Sequence, residues 1–368
     1  MRDSPWAISR FDEALLELLG QGQKHLSLAD AVDAIGIESG EQINVETILA
    51  ESNSPLESLL PRALSGTEKD RRGVQHLEIV DNRGSFVISA WPTAHRGVFH
   101  LAATTPFTDP RWQKVERWIG RANPEVVPCF LNHADFIDIG RALSEIGDAE
   151  VSRLTARNLV DQSSLGRSWK SRSDGLRLSP LEAIAEVEAN HASVRTMTMR
   201  VGQLLSLHLR RLAGATFYSG NFTAFDDVVL SRLAKAGATR RSLMANRHRR
   251  VGKPVGTPIS VKLPGAFLGT EIDTSEVLET LEELSQVSVA VLHRNPYLHV
   301  VVTDYSDGSN FDLFVTDADS IDIYPGFRAS RGSLTRLSQR LGERFLATDI
   351  SDAAEDDEVS LDDLVASR

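Results

Sequence analysis

Apolar segments of this sequence, such as Val287–Leu292 and Leu298–Val302, stay at strand length. None approaches the 18 or so consecutive apolar residues that a membrane helix needs, so the chain must bury short elements against one another and no membrane partner is expected. At 368 residues it exceeds what one hydrophobic core usually supports, which predicts two or three lobes. Apolar residues at 41% and charged residues at 25% supply enough material for packed cores. The first twenty residues carry Arg2, Asp3, Arg10, Asp12, Glu13 and Glu17 and so lack the apolar region of a signal peptide. The single cysteine, Cys129, excludes an internal disulfide and a cysteine zinc site. A reducing, cytoplasmic setting is therefore the expectation.

Spacing then sketches the elements. Short helices are predicted through the first sixty residues: Ile8–Leu19, Leu26–Ile35, and Asn44–Ala50 leading to Leu56–Leu64. Strands follow at His76–Val80, Ser85–Trp91 and Gly97–Thr104, the first two joined through Asn82-Arg83-Gly84. Asp109-Pro110 opens a helix carrying Trp112 and Trp118. Ser179-Pro180-Leu181-Glu182 fits a capping box, and spacings of three and four after it predict one long helix to about Ala213, with a second from Thr223 to Ala236 closed by Gly237. A further capping box at Asp273–Glu276 starts the last lobe, where strands at Val287–His293, Tyr297–Asp304, Asn310–Thr316 and Ser320–Tyr324 precede a helix over Gly332–Phe345. The order strand, strand, strand, helix thus occurs at 76–121 and again at 287–346, as a degenerate structural duplication would leave it, although the residues themselves do not align.

The expected fold class is α+β, with two antiparallel-sheet and helix lobes flanking a basic helical middle segment. The expected boundaries are 1–150, 151–265, 266–348 and an acidic, disordered tail over 349–368. In that tail eight acids stand against Arg368, and Val359, Leu361, Leu364 and Val365 among them suit an amphipathic docking segment as well as a solubility device.

Charge supplies the strongest functional signal. From Arg153 to Thr270 there are 19 Lys plus Arg against seven acids, inside a chain whose net charge is −11. Between Val228 and Thr270 there is no acid, while Arg232, Lys235, Arg240, Arg241, Arg247, Arg249, Arg250, Lys253 and Lys262 accumulate. Cations without intervening acids supply the phosphate neutralisation on which nucleic-acid binding rests. A nearby group, Arg167, Trp169, Lys170 and Arg172, sets an indole among cations as a base-stacking platform would.

Catalytic signatures are missing: there is no G-x-G-x-x-G after a strand, no Walker lysine motif, no G-x-S-x-G elbow and no H-E-x-x-H. Gly252–Thr257 has the letters of a phosphate loop in the wrong order. Asp304, Asp307 and Asp312 fail the calcium-loop spacing and suit a hairpin turn at Asp307-Gly308. His191 and His208, placed on the long helix, receive no role. The expectation is a non-enzymatic nucleic-acid-binding or regulatory scaffold whose basic residues contact DNA or RNA, with no cofactor. Two alternatives stand beside it. One is an adaptor docking the same basic surface on acidic protein partners, and the other is a metal-dependent hydrolase or nuclease centred on His133 and Asp135, read as alternate residues at a strand end.

Overall fold

The computed structural model describes residues 9–20, 26–38, 40–60, 68–69, 73–81, 84–122, 125–158, 164–168, 178–190, 192–212, 214–244, 258–263, 274–326, 328–345 and 347–353. The fold is mixed α+β with two antiparallel sheets, and the chain divides into two compact units, Met1–Thr239 and Arg240–Arg368. No helix among the described residues is long and apolar enough to cross a membrane.

In the first unit, α1 (Arg10–Gly20) and α2 (Leu28–Ile35) lead into β1 (Ile43–Ala50). After it come α3 (Pro55–Leu59), the meander β2 (Glu68–Lys69), β3 (Gln75–Asp81), β4 (Gly84–Pro92) and β5 (Val98–Ala103), then α4 (Pro110–Ala122) and β6 (Val126–Pro128). The chain continues as α5 (His133–Ile146), β7 (Ala149–Asn158), β8 (Ser164–Ser168), α6 (Pro180–Ala189), β9 (Ala192–Val201), β10 (Leu205–Arg210) and β11 (Gly214–Gly220). It closes with α7 (Phe222–Phe225), a π-helical turn (Asp226–Leu230) and α8 (Ser231–Met244), whose end from Arg240 onward falls in the second unit. The sheet order is β2-β3-β4-β5-β1-β11-β10-β9-β7-β8, with β6 paired to the second half of β1.

All eight residues of β1 are buried, because both faces of this central strand are covered. Ile43 and Val45 join a core with α1, α2, α5, α6 and α7, whereas Ile48 and Ala50 pack with Trp118 and Ile119 of α4. A strand buried on both faces loses its polar alternation, which is why Asn44–Ala50 reads as a helix from spacing.

The expected basic helical middle is not what forms. The capping box at Ser179 does start a helix, but α6 ends at Ala189 with Asn190 at its C-cap, and β9 and β10 replace the predicted helix to Ala213. The alternation explains the correction: Met197, Met199 and Val201 are buried while Thr196, Thr198 and Arg200 are not, and Leu205, Leu207 and Leu209 alternate with Ser206, His208 and Arg210 in the same way. Helical structure does extend through Phe222–Met244, yet Gly237 fails to close it. A Cβ there would approach Leu49 and Val98 to 3.1 Å, so the glycine serves close contact between α8 and the sheet.

The second unit contains β12 (Ile259–Lys262), α9 (Thr274–Glu282), β13 (Val287–His293), β14 (Leu298–Asp304), β15 (Ser309–Val315), β16 (Ser320–Pro325), α10 (Arg331–Arg344) and β17 (Asp349–Asp352). Its sheet order is β13-β14-β15-β16-β12-β17. The same path is traced by β1 to β6, whose order is β2-β3-β4-β5-β1-β6, with a helix before and after the four-stranded meander in both. The repeat thus lies in topology, with residues that do not align. The acidic tail expected from Asp349 is corrected at its start, since Asp349–Asp352 pairs with β12 as a strand; residues 354–368 lie outside the described residues.

Candidate anion-binding sheet face

Strands β7, β9, β10 and β11 bury Val151, Leu154, Met197, Met199, Leu207, Leu209 and Phe217 against α5, α6 and α7. Their other face is polar and partly exposed, and two straight rows of side chains cross it. In the first row Arg153 lies opposite Thr198, Thr198 opposite His208, His208 opposite Thr216 and Thr216 opposite Asn44. In the second, Thr155 lies opposite Thr196, Thr196 opposite Arg210, Arg210 opposite Gly214 and Gly214 opposite Glu46. Period two places every member of a row on one face.

Cross-strand hydrogen bonds fix the small polar groups. Thr198 Oγ1 lies 2.8 Å from His208 Nδ1, Thr155 Oγ1 lies 2.6 Å from Thr196 Oγ1, and Thr216 Oγ1 donates to Asn44 Oδ1 at 2.8 Å. The side-chain vacancy at Gly214 is filled by Phe107, whose ring a Cβ at that position would meet at 3.0 Å. Over the same ring sits the Arg210 guanidinium, 4.4 Å from the centroid. Phe107 in turn meets Trp112 edge-on, with centroids 4.6 Å apart.

The electrostatics follow from burial and from two cations. The His208 imidazole is pushed down to about 4, by burial first and then by Arg210 and Arg153, so it is neutral at pH 7. Tyr218, at a β-bulge in β11, has its phenol raised by burial, against the pull of the same two arginines. Arg153 is exposed and makes no ion pair among the described residues. At the far end of the second row, Glu46 is buried and pushed up to about 8, by burial first and then by Glu116, with Arg210 opposing. The face therefore presents two guanidiniums, a neutral imidazole, a phenol and threonine hydroxyls, a donor set for an anion. A cavity of about 640 Å³ adjoins it past Tyr218, lined by Val32, Ile37, Phe217 and Phe222 among others.

The residues singled out from sequence are placed elsewhere. Arg232, Lys235, Arg240 and Arg241 lie on α8. Arg232 Nε is 3.4 Å from Asp138 Oδ2 and its NH1 donates to the Val228 carbonyl; Lys235 is exposed, whereas Arg240 is only 5% exposed. Arg167 belongs to β8, opposite Leu154. Trp169, Lys170, Arg172, Arg247, Arg249, Arg250 and Lys253 lie outside the described residues.

His133 and Asp135 occupy the first turn of α5 and not a strand end, because Asn132 and Asp135 form a reciprocal capping box: Asn132 N donates to Asp135 Oδ2 at 2.7 Å and Asp135 N to Asn132 Oδ1 at 3.0 Å. His133 Nε2 lies 2.6 Å from Glu188 Oε1 of α6. Among the described residues no group of three or more His, Cys, Asp or Glu is placed to hold a metal. Sequence reasoning missed Arg153, His208, Arg210 and Tyr218; the alternation of Leu205–Arg210 was the available signal. Neither protein-family models nor curated proteins match this chain.

Proposed function

We propose that the protein is a non-enzymatic nucleic-acid-binding scaffold, with Arg153 and Arg210 on the polar face of the first unit's sheet contacting phosphates. The observation that carries this reading is the pair of cross-strand rows, in which an exposed arginine without an ion pair and a second arginine stacked on Phe107 flank His208. A flat strand face with cations spaced along it suits an extended single strand: phosphates pair with guanidiniums and a base stacks on Tyr218. An imidazole neutral at pH 7 and bonded to Thr198 offers this face a hydrogen-bonding group without a charge of its own. The basic residues of α8 are a separate candidate, since Gly237 of that helix packs on Leu49 and Val98, on the sheet face opposite to that of Glu46.

The test is a titration with fluorescently labelled single-stranded DNA and RNA at two salt concentrations. Binding that weakens steeply with salt is expected, since each phosphate contact releases counterions. Absence of binding at low salt rejects the proposal, and competition by an acidic peptide but not by nucleic acid would move the reading to an adaptor for acidic proteins.

A further inference from the structure

The second unit's sheet has two unlike edges. At one, β17 carries Asp349 and Asp352, and charge on an edge strand discourages pairing with another chain. At the other, β13 reads Val-Ser-Val-Ala-Val-Leu-His, with no charged residue and no proline. None of its seven side chains is buried; Val291 is 45% exposed and Leu292 59%. Among the described residues no strand pairs with the outer edge of β13, and natural sheets avoid leaving an uncharged strand of this length open.

We infer that β13 is the dimerisation edge of this protein: two copies join antiparallel through Val287–Val291, centred on Val289, into one continuous sheet. The inference is independent of the nucleic-acid reading. Self-complementarity is its first support. Val287, Val289 and Val291 lie opposite Asp304, Val302 and Val300 of β14, whose side chains point into the core, so the three valines share the core-side face. About a twofold axis at Val289, Val287 faces the second copy's Val291 and Val289 faces itself, while Ser288 faces Ala290. The core-side face is then all valine and the other face all small. The register ends where the β13–β14 ladder shifts, between Val291 and His293.

Charge is the second support. Exposed Glu282 stands before the strand and exposed Arg294 after it, so antiparallel pairing brings the acidic end of each copy beside the basic end of the other. Parallel pairing would set like charges together. Tyr305, 67% exposed, donates from its hydroxyl to Ser288 Oγ and, with Leu292, widens the contact beyond the paired backbones. Five paired residues with these flanks make a small interface, at the low end of the roughly 1,000 Å² that a stable one buries, so a dissociation constant on the order of 10 micromolar is expected.

The experiment is sedimentation velocity of the full chain over a dilution series, with two kinds of variant. The wild-type mass should rise from one chain toward two with concentration, while Val291→Lys should remain one chain throughout, its circular dichroism and melting unchanged because the position is already half exposed. In a separate preparation, Val289→Cys should form a disulfide-linked dimer on mild oxidation. Asp317→Cys, exposed on the turn between β15 and β16, should not, and the natural Cys129 is buried and silent. A wild-type chain that stays at single mass across the series overturns the inference, as does a dimer that Val291→Lys leaves intact or a Val289→Cys protein that oxidises no faster than Asp317→Cys.

Discussion

Thr198 and His208 stand directly opposite each other on β9 and β10, with 2.8 Å between the threonine hydroxyl and the imidazole Nδ1. The contact orients the ring, while burial first, then Arg210 two positions along the same strand and Arg153 two strands away on β7, disfavour a proton on it. The imidazole is thus a reporter for charge arriving on this face. By NMR titration it should lose its proton near pH 4 in the free protein, well below an ordinary histidine. Adding a short oligonucleotide should raise that value, because phosphates offset the two guanidiniums, and Arg210→Ala should raise it without any ligand. A value near 6.5 in the free protein, or one insensitive to bound oligonucleotide, would place the anion elsewhere.

Replacing Arg153 and Arg210 together by alanine should weaken nucleic-acid binding similarly for all sequences, since phosphate contacts carry no base information. The slope of log affinity against log salt should fall by roughly two, about one per lost contact. Neutralising Arg247, Arg249 and Arg250 gives the comparison. If that triple change abolishes binding while the double change leaves affinity and slope untouched, the basic run is the site and the sheet face is not.

These arginines were legible in sequence as charge but not as a surface. The middle segment reads as a helix because Val194, Met197, Val201 and Leu204 keep spacings of three and four, yet the same stretch also alternates strictly from Thr196 to Val201. Two periods fit, and only pairing with β7 and β10 decides between them. Elements with a local signature fared better: the capping box at Ser179, the hairpin between β3 and β4, and the meander from β13 to β16 stand within a few residues of expectation. What no local pattern contains is the partner of each strand. Arg153 and Arg210 are 57 positions apart, and they flank one histidine only because β9 and β10 lie in the register observed.

Gly220 illustrates a constraint that backbone geometry imposes. It has φ +109, and a Cβ there would collide with the carbonyl of Leu204 and approach its carbon to 2.8 Å. Gly220→Ala should therefore destabilise the first unit by roughly 1–3 kcal/mol, combining left-handed strain with displacement of the β10 start. Gly202→Ala, at φ +47 with nothing within 4 Å of the added carbon, should cost only the strain, about 1 kcal/mol. Equal melting shifts for the two variants would show that the collision at Leu204 relaxes freely.

Glu46 makes a pH prediction whose sign is set by burial. Its carboxyl is pushed up to about 8 in the folded chain, chiefly by burial, against 4.5 when exposed, and its Oε2 finds no hydrogen-bond partner among the described residues. Between these values the folded state holds a proton that the unfolded state has released, so folding stability falls as pH rises from about 4.5 and levels off above about 8. Over that window the loss from this one group amounts to about 5 kcal/mol at most, at about 1.4 kcal/mol per unit. Glu46→Gln keeps the shape and removes the titration. Buried His100 and His208, pushed down to about 4, titrate alike in both proteins and cancel in the difference. Urea denaturation at pH 5, 7 and 9 should show the variant close to wild type at pH 5 and progressively more stable than wild type toward pH 9. A stability difference that does not change with pH would mean that the Glu46 carboxyl is ionised in the folded protein across the range, paired with the Arg210 guanidinium in place of the proton. In that case Arg210 would be held by a carboxylate and would contribute little to anion binding on the sheet face.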